Sequence, residues 1–483
     1  MASARRLAAN IFTGWFANVF KVATQLVMLP LMARLLGPEE MGLYALALPV
    51  LQFVSLLSDG GLGDSLAREE ASNDLLWSSA FWGLLGSGIS LAVVVYGCSW
   101  LIGGAAHQTR LPEVMLPLCL TLPMVAATVI PGARMLRAGR ASNGSVADLI
   151  GYVTGAAVAI GMAFAGFGVW AMVTQYVLTF FVRMALFNVF SPFVPKLQFD
   201  LRTLISHWGI GGAILGGRLS DLGGRTVEST LISRVFGAAN LGSYSYANQI
   251  PRFISEAVSN PIWHNLYYLC LKDRSESPAK HYISHSRMIA LVVFPVAAIL
   301  AVSLPAVIPL LLGPRWTTSI FPMAILLVTY PFLALGNQTG AVLFARGHAK
   351  TPLAGSVVFA VARIAVVAFS PLLGFNLVAL GLGIINVMYW IVLAVICQPQ
   401  IGNKFADLLL ALAGPLLAST FAALMQLFIL GHHLDMFWLI GSGLLSSAVY
   451  VAALFVVDRP KVLADIHSAR AMFNKRGSIE ANG

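Results

Sequence analysis

Charge is scarce in this chain of 483 residues: Asp, Glu, Lys and Arg together make up 10%, against 58% hydrophobic residues. A water-soluble domain needs a far more charged surface, so a soluble fold is excluded, and a mean hydropathy of +0.81 points to a polytopic membrane protein. Cysteine is scarce too. Cys98, Cys119, Cys270 and Cys397 are scattered, with neither metal-ligand nor disulfide spacing, and read as packing residues. Also missing are a phosphate-cradling Gly-rich loop, a His/Glu metal motif and a nucleophile elbow. A nucleotide-driven machine or a hydrolase is therefore not expected, and neither is any cofactor beyond a coupling H⁺ or Na⁺.

Long hydrophobic runs are what the chain has. Fourteen segments are long enough to cross a hydrocarbon core of roughly 30 Å, which takes about 20 helical residues. They lie near 10–34, 41–62, 77–102, 112–134, 145–166, 168–190, 204–234, 242–266, 287–312, 317–342, 352–372, 377–397, 405–430 and 436–457. Arg5-Arg6 precede the first run, but its length, with Asn18 and Lys21 inside it, fits an uncleaved first helix.

If the N-terminus lies inside and the segments alternate, the outer loops carry only Arg34, Arg110, Arg234 and Arg315, while most other Lys and Arg fall inside. That positive-inside bias implies that both termini are cytoplasmic. It also accounts for the net charge of +10 without a nucleic-acid partner. The outer loops are short, which leaves no room for an extracytoplasmic catalytic domain. Residues 458–483 are expected to form a cytoplasmic tail, either an interfacial helix, for which Val462, Leu463, Ile466 and Met472 are suitably spaced, or a disordered segment.

Against this background one stripe of charge stands out. Arg218, Asp221, Arg225 and Glu228 recur at intervals of three and four, on one helical face about 15 Å long. Such a stripe inside a membrane segment normally faces a water-filled cavity or a binding site.

The chain also repeats itself. At a shift of 200, Arg34, Gly37, Gly42 and Tyr44 fall on Arg234, Gly237, Gly242 and Tyr244. At a shift of 208, Gly139, Val153, Gly166 and Phe167 fall on Gly347, Val361, Gly374 and Phe375. Six segments separate the copies, so the repeat is parallel. The expected fold is an all-α polytopic membrane protein of about 14 transmembrane helices. Two six-helix lobes, 1–200 and 201–400, enclose a central cavity, and two further helices in 401–457 are appended.

On the shift of 200, Arg218, Asp221, Arg225 and Glu228 align with Asn18, Lys21, Gln25 and Met28. Arg252, Ser255 and Ser259 align with Gln52, Ser55 and Asp59. The candidate substrate-binding residues are therefore Arg218, Arg225, Arg252, Lys21, Asn18 and Gln25. Asp221, Glu228, Asp59 and Glu256 are candidates for binding a coupling ion, with a structural salt-bridge ladder as the competing role. Arg363 is either a cavity residue or one half of a structural pair. Gly60-Gly61 and Asn260-Pro261 are candidate hinges, or simply helix ends.

The stretches Arg34–Tyr44, Arg234–Tyr244, Leu312-Gly-Pro-Arg-Trp316 and Ala345-Arg-Gly-His348 resemble, in order and spacing, bacterial polysaccharide exporters. The resemblance is to the polysaccharide transporter (O-antigen and exopolysaccharide flippase) branch of the multidrug/oligosaccharidyl-lipid/polysaccharide exporter superfamily. It implies alternating-access movement of undecaprenyl-pyrophosphate-linked oligosaccharide across the inner membrane. The partners it implies are that lipid-linked substrate, membrane lipid and other glycan-assembly proteins. Three other readings compete: a cation-coupled small-molecule exporter of the same fold, a peptidoglycan-precursor flippase, and a non-transporting scaffold of a glycan-assembly complex. The charge predicted at the centre, mixed but rich in arginine, favours an anionic substrate.

Overall fold

The computed structural model describes residues 2–59, 74–138, 140–200, 212–272, 278–348, 350–369, 371, 374–396, 398–402, 404–430 and 436–461. Among these, regular structure is entirely helical. In order the helices are α1 (Ala2–Asp59), α2 (Asp74–Ala105), α3 (Leu111–Cys119), α4 (Thr121–Arg137), α5 (Ala141–Phe164) and α6 (Val169–Phe190). After these come α7 (Gly212–Lys272), α8 (Pro278–Leu311), a 3-10 turn (Pro314–Ser319) and α9 (Ile320–Ala345). The last are α10 (Lys350–Ala368), α11 (Phe375–Ile396), a single turn at Gln398–Ile401, α12 (Phe405–Leu430) and α13 (Met436–Val457). Ten helical stretches among the described residues are long and apolar enough to cross a membrane.

α1 and α7 are the unusual elements, 58 and 61 residues long. Straight, each would reach about 90 Å, roughly three hydrocarbon cores. Each is instead broken at one glycine. Gly37 has φ 79° and ψ 172°, and Gly237 has φ 84° and ψ 169°. A side chain disfavours that conformation, and glycine does not. The two breaks lie 200 residues apart, at the register of the sequence repeat. Gly166 and Gly374, matched at the shift of 208, likewise share a positive φ of 81° and 76°.

The segment Leu312–Trp316 fastens one of these breaks. Trp316 is fully buried, and its indole Nε1–H donates to the Ala33 carbonyl at 2.9 Å. A helix that stops near residue 36 leaves its last carbonyls without an intrahelical partner. Trp316 satisfies one of them.

The chain forms two compact units. The first comprises Met1–Ser245, Leu311–Thr318 and Ser356–Val378, and so contains the whole first repeat. Within it α5 and α6 lie close because Gly151 and Gly155 face the backbone of Thr179 and Gln175. Small residues at the seam are the usual route to tight helix packing in lipid, where apolar burial alone gives no drive. Met28, Met32, Ala156, Ala159 and Ala171 form the core where α1 meets this pair.

The second unit comprises Tyr246–Leu310, Ser319–Gly355 and Ala379–Gly483. Its core runs through Tyr282, Phe294, Leu335, Trp390 and Leu412. Phe294, Phe332, Trp390 and Phe405 follow one another with ring centroids 5.2–5.7 Å apart. Polar contacts tie α12 and α13 to α8. Gln426 Nε2 donates to Ser303 Oγ and Ser442 Oγ, both at 3.0 Å, and its carbonyl oxygen accepts from Ser446 at 2.8 Å. Arg287, buried in α8, reaches Asp458 at 2.6 Å and the Ala411 carbonyl at 2.8 Å. Asn260-Pro261 does not end a helix, because α7 continues to Lys272. Gly60-Gly61 and the tail from 462 lie outside the described residues.

Candidate functional site

The charged stripe falls on α7 between its start and the Gly237 break. The side chains of Arg218 and Asp221 lie outside those described, as do those of Asn18 and Asp59. Of the remaining candidates, Arg225, Lys21 and Gln25 are half-buried. Glycine next to the stripe lets α7 approach α10: a methyl on Gly224 would lie 3.2 Å from the Ala360 β-carbon.

Glu228, at the end of the stripe, is buried. Arg363 of α10 grips both of its carboxylate oxygens, donating from Nε to Oε2 and from Nη2 to Oε1, each at 2.9 Å. The Tyr244 hydroxyl donates to Oε1 at 2.5 Å, and Arg363 Nη2 also reaches that hydroxyl at 3.2 Å. The face of the Phe359 ring lies 5.5 Å from the guanidinium carbon. Three groups thus satisfy one another where charge is costly, in the forked geometry that suits guanidinium and carboxylate. Arg363 is therefore a paired charge, and its partner is one of the acids on the stripe.

The first repeat fills the equivalent positions differently. Met28 stands where Glu228 stands, Gly155 where Arg363 stands, and Tyr44 where Tyr244 stands. Met28 belongs to an apolar cluster with Ala156 and Ala159. Matched sequence positions therefore carry an ion pair in one copy and, at Met28, apolar packing in the other.

In the other unit Arg252 and Glu256 form an ion pair at 2.7 Å, one turn apart on α7 and partly exposed. Ser255 and Ser259, on the same face, are buried. The Gln338 amide donates to the Ser259 carbonyl at 3.1 Å, beside Pro261, whose missing N–H interrupts the helical ladder.

Two charged features at the ends of the first unit carry no signal in helical periodicity. At the Gly37 end, Glu40 accepts from Arg110 at 2.6 Å and from the Val169 backbone N–H at 2.7 Å, capping the start of α6. Burial opposes ionisation of Glu40, but the Arg110 hydrogen bond, the Val169 N–H and the Arg110 charge outweigh it and lower the pKa. At the opposite end, where α4 and α6 finish, Arg134, Arg137 and Lys196 line a cleft of about 560 Å³ with Trp77, Ser78 and Phe193. The spacing of Arg134 and Arg137, three apart in the last turn of α4, was the one local hint of it. Among the described residues no cluster of His, Cys, Asp and Glu has the form of a metal site.

The comparisons with known proteins agree with this architecture. Residues 31–321 match the family model described as "Polysaccharide biosynthesis protein". Over 97% of both chains, the sequence is 22% identical to the succinoglycan biosynthesis transport protein ExoT of Rhizobium meliloti (strain 1021). It is 24% identical to the lipopolysaccharide biosynthesis protein WzxC of Escherichia coli (strain K12), over 69% of this chain and 68% of that one. Among solved structures, the lipid II flippase MurJ in an inward closed conformation superposes with a TM-score of 0.77 at 12% identity, covering 93% of this chain and 99% of that one. An inward-facing multidrug resistance MATE family transporter gives 0.61 at 16% identity, covering 78% and 94%. The family match spans both copies of the Gly37/Gly237 motif together with Leu312–Trp316, and the chain belongs to the polysaccharide biosynthesis protein family.

Proposed function

We propose that this protein is a flippase that moves lipid-linked oligosaccharide, carried on undecaprenyl pyrophosphate, across the bacterial inner membrane for surface polysaccharide assembly. The observation that carries this reading is the end-to-end match to a succinoglycan transport protein. The fold, shared with a lipid II flippase, supports it. The chemistry fits as well. A pyrophosphate and a glycan cannot cross hydrocarbon unaided, because unpaired charge and unsatisfied polar groups cost many kcal/mol there. Helices that carry polar faces through the membrane remove that barrier.

In this reading the ten apolar helical stretches, joined by α1 and α7 as two further pairs each divided at its glycine break, make fourteen spans. The repeats at 1–200 and 201–400 are the two moving lobes, helices in 401–457 flank the lipid tail, and both termini face the cytoplasm. Arg218, Arg225, Arg252 and Lys21 contact the pyrophosphate, and Asn18 and Gln25 contact the glycan. Asp221, Asp59 and Glu256 are the acids available to a coupling H⁺ or Na⁺. Glu228 anchors α7 to α10 through Arg363.

Deletion of the gene tests the reading. The expected result is a lipid-linked glycan that accumulates on the cytoplasmic leaflet, with loss of the surface polymer. Altered drug susceptibility with normal surface glycan would instead favour a small-molecule exporter.

A further inference from the structure

The cleft where α4 and α6 finish belongs to neither the stripe nor the ion pairs, and its construction points to a ligand. Three cations from separate places converge there: Arg134 and Arg137 on the last turn of α4, and Lys196 on the irregular strap 191–200 that follows α6. The strap has no regular secondary structure, yet it is fixed in place. The Lys196 N–H donates to Ser78 Oγ at 3.1 Å, and the Lys196 carbonyl accepts from the Trp82 indole at 3.0 Å. Asp200 N–H donates to Ser79 Oγ at 2.8 Å. Arg134 donates to the Pro192 carbonyl at 2.8 Å and lies over the Phe193 ring at 5.3 Å. The Arg134 guanidinium and the Lys196 backbone are thus held in place before anything binds, which lowers the ordering cost of binding.

The same strap also exposes apolar side chains, one of which, Val194, lines the cleft. Val194 is 88% exposed, Leu197 90% and Phe199 56%. In water such a cluster beside three cations is unfavourable. At the boundary between headgroups and acyl chains it is the expected composition, with apolar side chains in lipid and basic ones among the phosphates. The volume, about 560 Å³, is that of a small-molecule site. On the sidedness implied by the positive-inside bias, this end faces the cytoplasm.

We propose that the cleft lined by Arg134, Arg137 and Lys196 holds the phosphate headgroup of a lipid in the cytoplasmic leaflet. Two lipids offer that chemistry: the polyprenyl pyrophosphate of the substrate, collected before it enters the helix bundle, and an ordinary anionic phospholipid. The first of these roles rests on the flippase reading, and the second does not.

The test uses purified full-length protein, with bound lipid counted by native mass spectrometry. The probes are undecaprenyl pyrophosphate, phosphatidylglycerol, phosphatidylcholine and inorganic pyrophosphate. Wild type is expected to retain at least one of the two anionic lipids over phosphatidylcholine. Arg137→Ala with Lys196→Ala should weaken that retention about tenfold, the scale of one lost charge-assisted hydrogen bond. Arg137→Lys with Lys196→Arg should keep most of it. Both cations are on exposed residues, so folding should survive, and Lys196→Ala alone repeats the measurement if the double variant aggregates.

Selective loss of undecaprenyl pyrophosphate identifies a loading site, and parallel loss of both lipids identifies a general headgroup site. Unchanged retention in the alanine variants overturns the proposal, as does binding of inorganic pyrophosphate with neither lipid. If deletion leaves glycan export intact while phosphatidylglycerol retention still depends on Arg137 and Lys196, the flippase reading falls and the cleft stands.

Discussion

Gly42 and Gly242 meet back to back. A methyl on Gly42 would collide with the Ala238 carbonyl and approach Gly242 N to 2.9 Å, while a methyl on Gly242 would collide with the Pro38 carbonyl and approach Gly42 N to 2.8 Å. Positions 38 and 238, like 42 and 242, are 200 apart. The contact is therefore reciprocal, as across a twofold axis, where residue i touches j and the copy of j touches the copy of i. Backbone cannot retreat as a flexible side chain can, so Gly42→Ala or Gly242→Ala should disfavour this arrangement by about 1–3 kcal/mol. The expected outcome is membrane-inserted protein in which cysteines placed at 39 and 239 label faster with a membrane-impermeant reagent than in the unsubstituted background. Unaltered labelling would contradict this expectation.

The Glu228–Arg363 clamp yields a double-mutant prediction. Removing one partner of a buried pair strands a charge and costs about 3–5 kcal/mol, whereas replacing both with apolar groups is often neutral. Glu228→Met restores the first repeat's residue at that position. Glu228→Met and Arg363→Met should each lower thermal stability in detergent substantially, and the double variant should recover most of the loss. If it does, its transport activity separates an anchor from a coupling residue: an anchor leaves export largely intact, and a coupling residue does not.

Arg287 and Asp458 hold the end of α13 to α8, with Lys461 adding a weaker contact to Asp458 at 3.7 Å. Asp458→Asn should destabilise the protein by a few kcal/mol, because Arg287 stays buried and loses its countercharge. Gly414→Ala should act on the same contact, since its methyl would collide with the Asp458 carboxylate. A thermal shift that is additive in the double variant would contradict a shared site.

Glu40 gives the pH dependence. Its pKa is lowered, so its contribution is fully present above the usual carboxylate range and is lost as pH falls through the lowered value. Arg110 is about half exposed, at 49%, so solvent screens the pair and the effect is at most about 1 kcal/mol. Wild type should be slightly more stable than Glu40→Gln at neutral pH, and the difference should vanish in acid. A difference that grows in acid would contradict the assignment.

Much of this architecture was legible in the chain because it is local. Apolar runs of membrane length mark the spans, and the shared Gly37/Gly237 and Gly166/Gly374 positions mark where the repeats break or turn. The stripe from Arg218 to Glu228 was visible because helical spacing alone places its members on one face. What escaped is long-range. Nothing near Glu228 announces Arg363, 135 residues away, and Asp458 is 171 residues from Arg287. Trp316 could be read as part of a motif, but not as the donor to Ala33. The basic cleft was hidden because Lys196 sits in a strap with no periodicity, held by the hydroxyls of Ser78 and Ser79.

The proposed role of the stripe arginines is in transport itself. The most direct measurement is translocation of an undecaprenyl-pyrophosphate-linked oligosaccharide in proteoliposomes that contain the purified protein. Wild type should move the glycan to the opposite leaflet, and Arg218→Ala with Arg225→Ala should abolish movement while the protein remains folded and inserted. No translocation by wild type above empty liposomes, or undiminished translocation by the double variant, would contradict a flippase that works through this stripe.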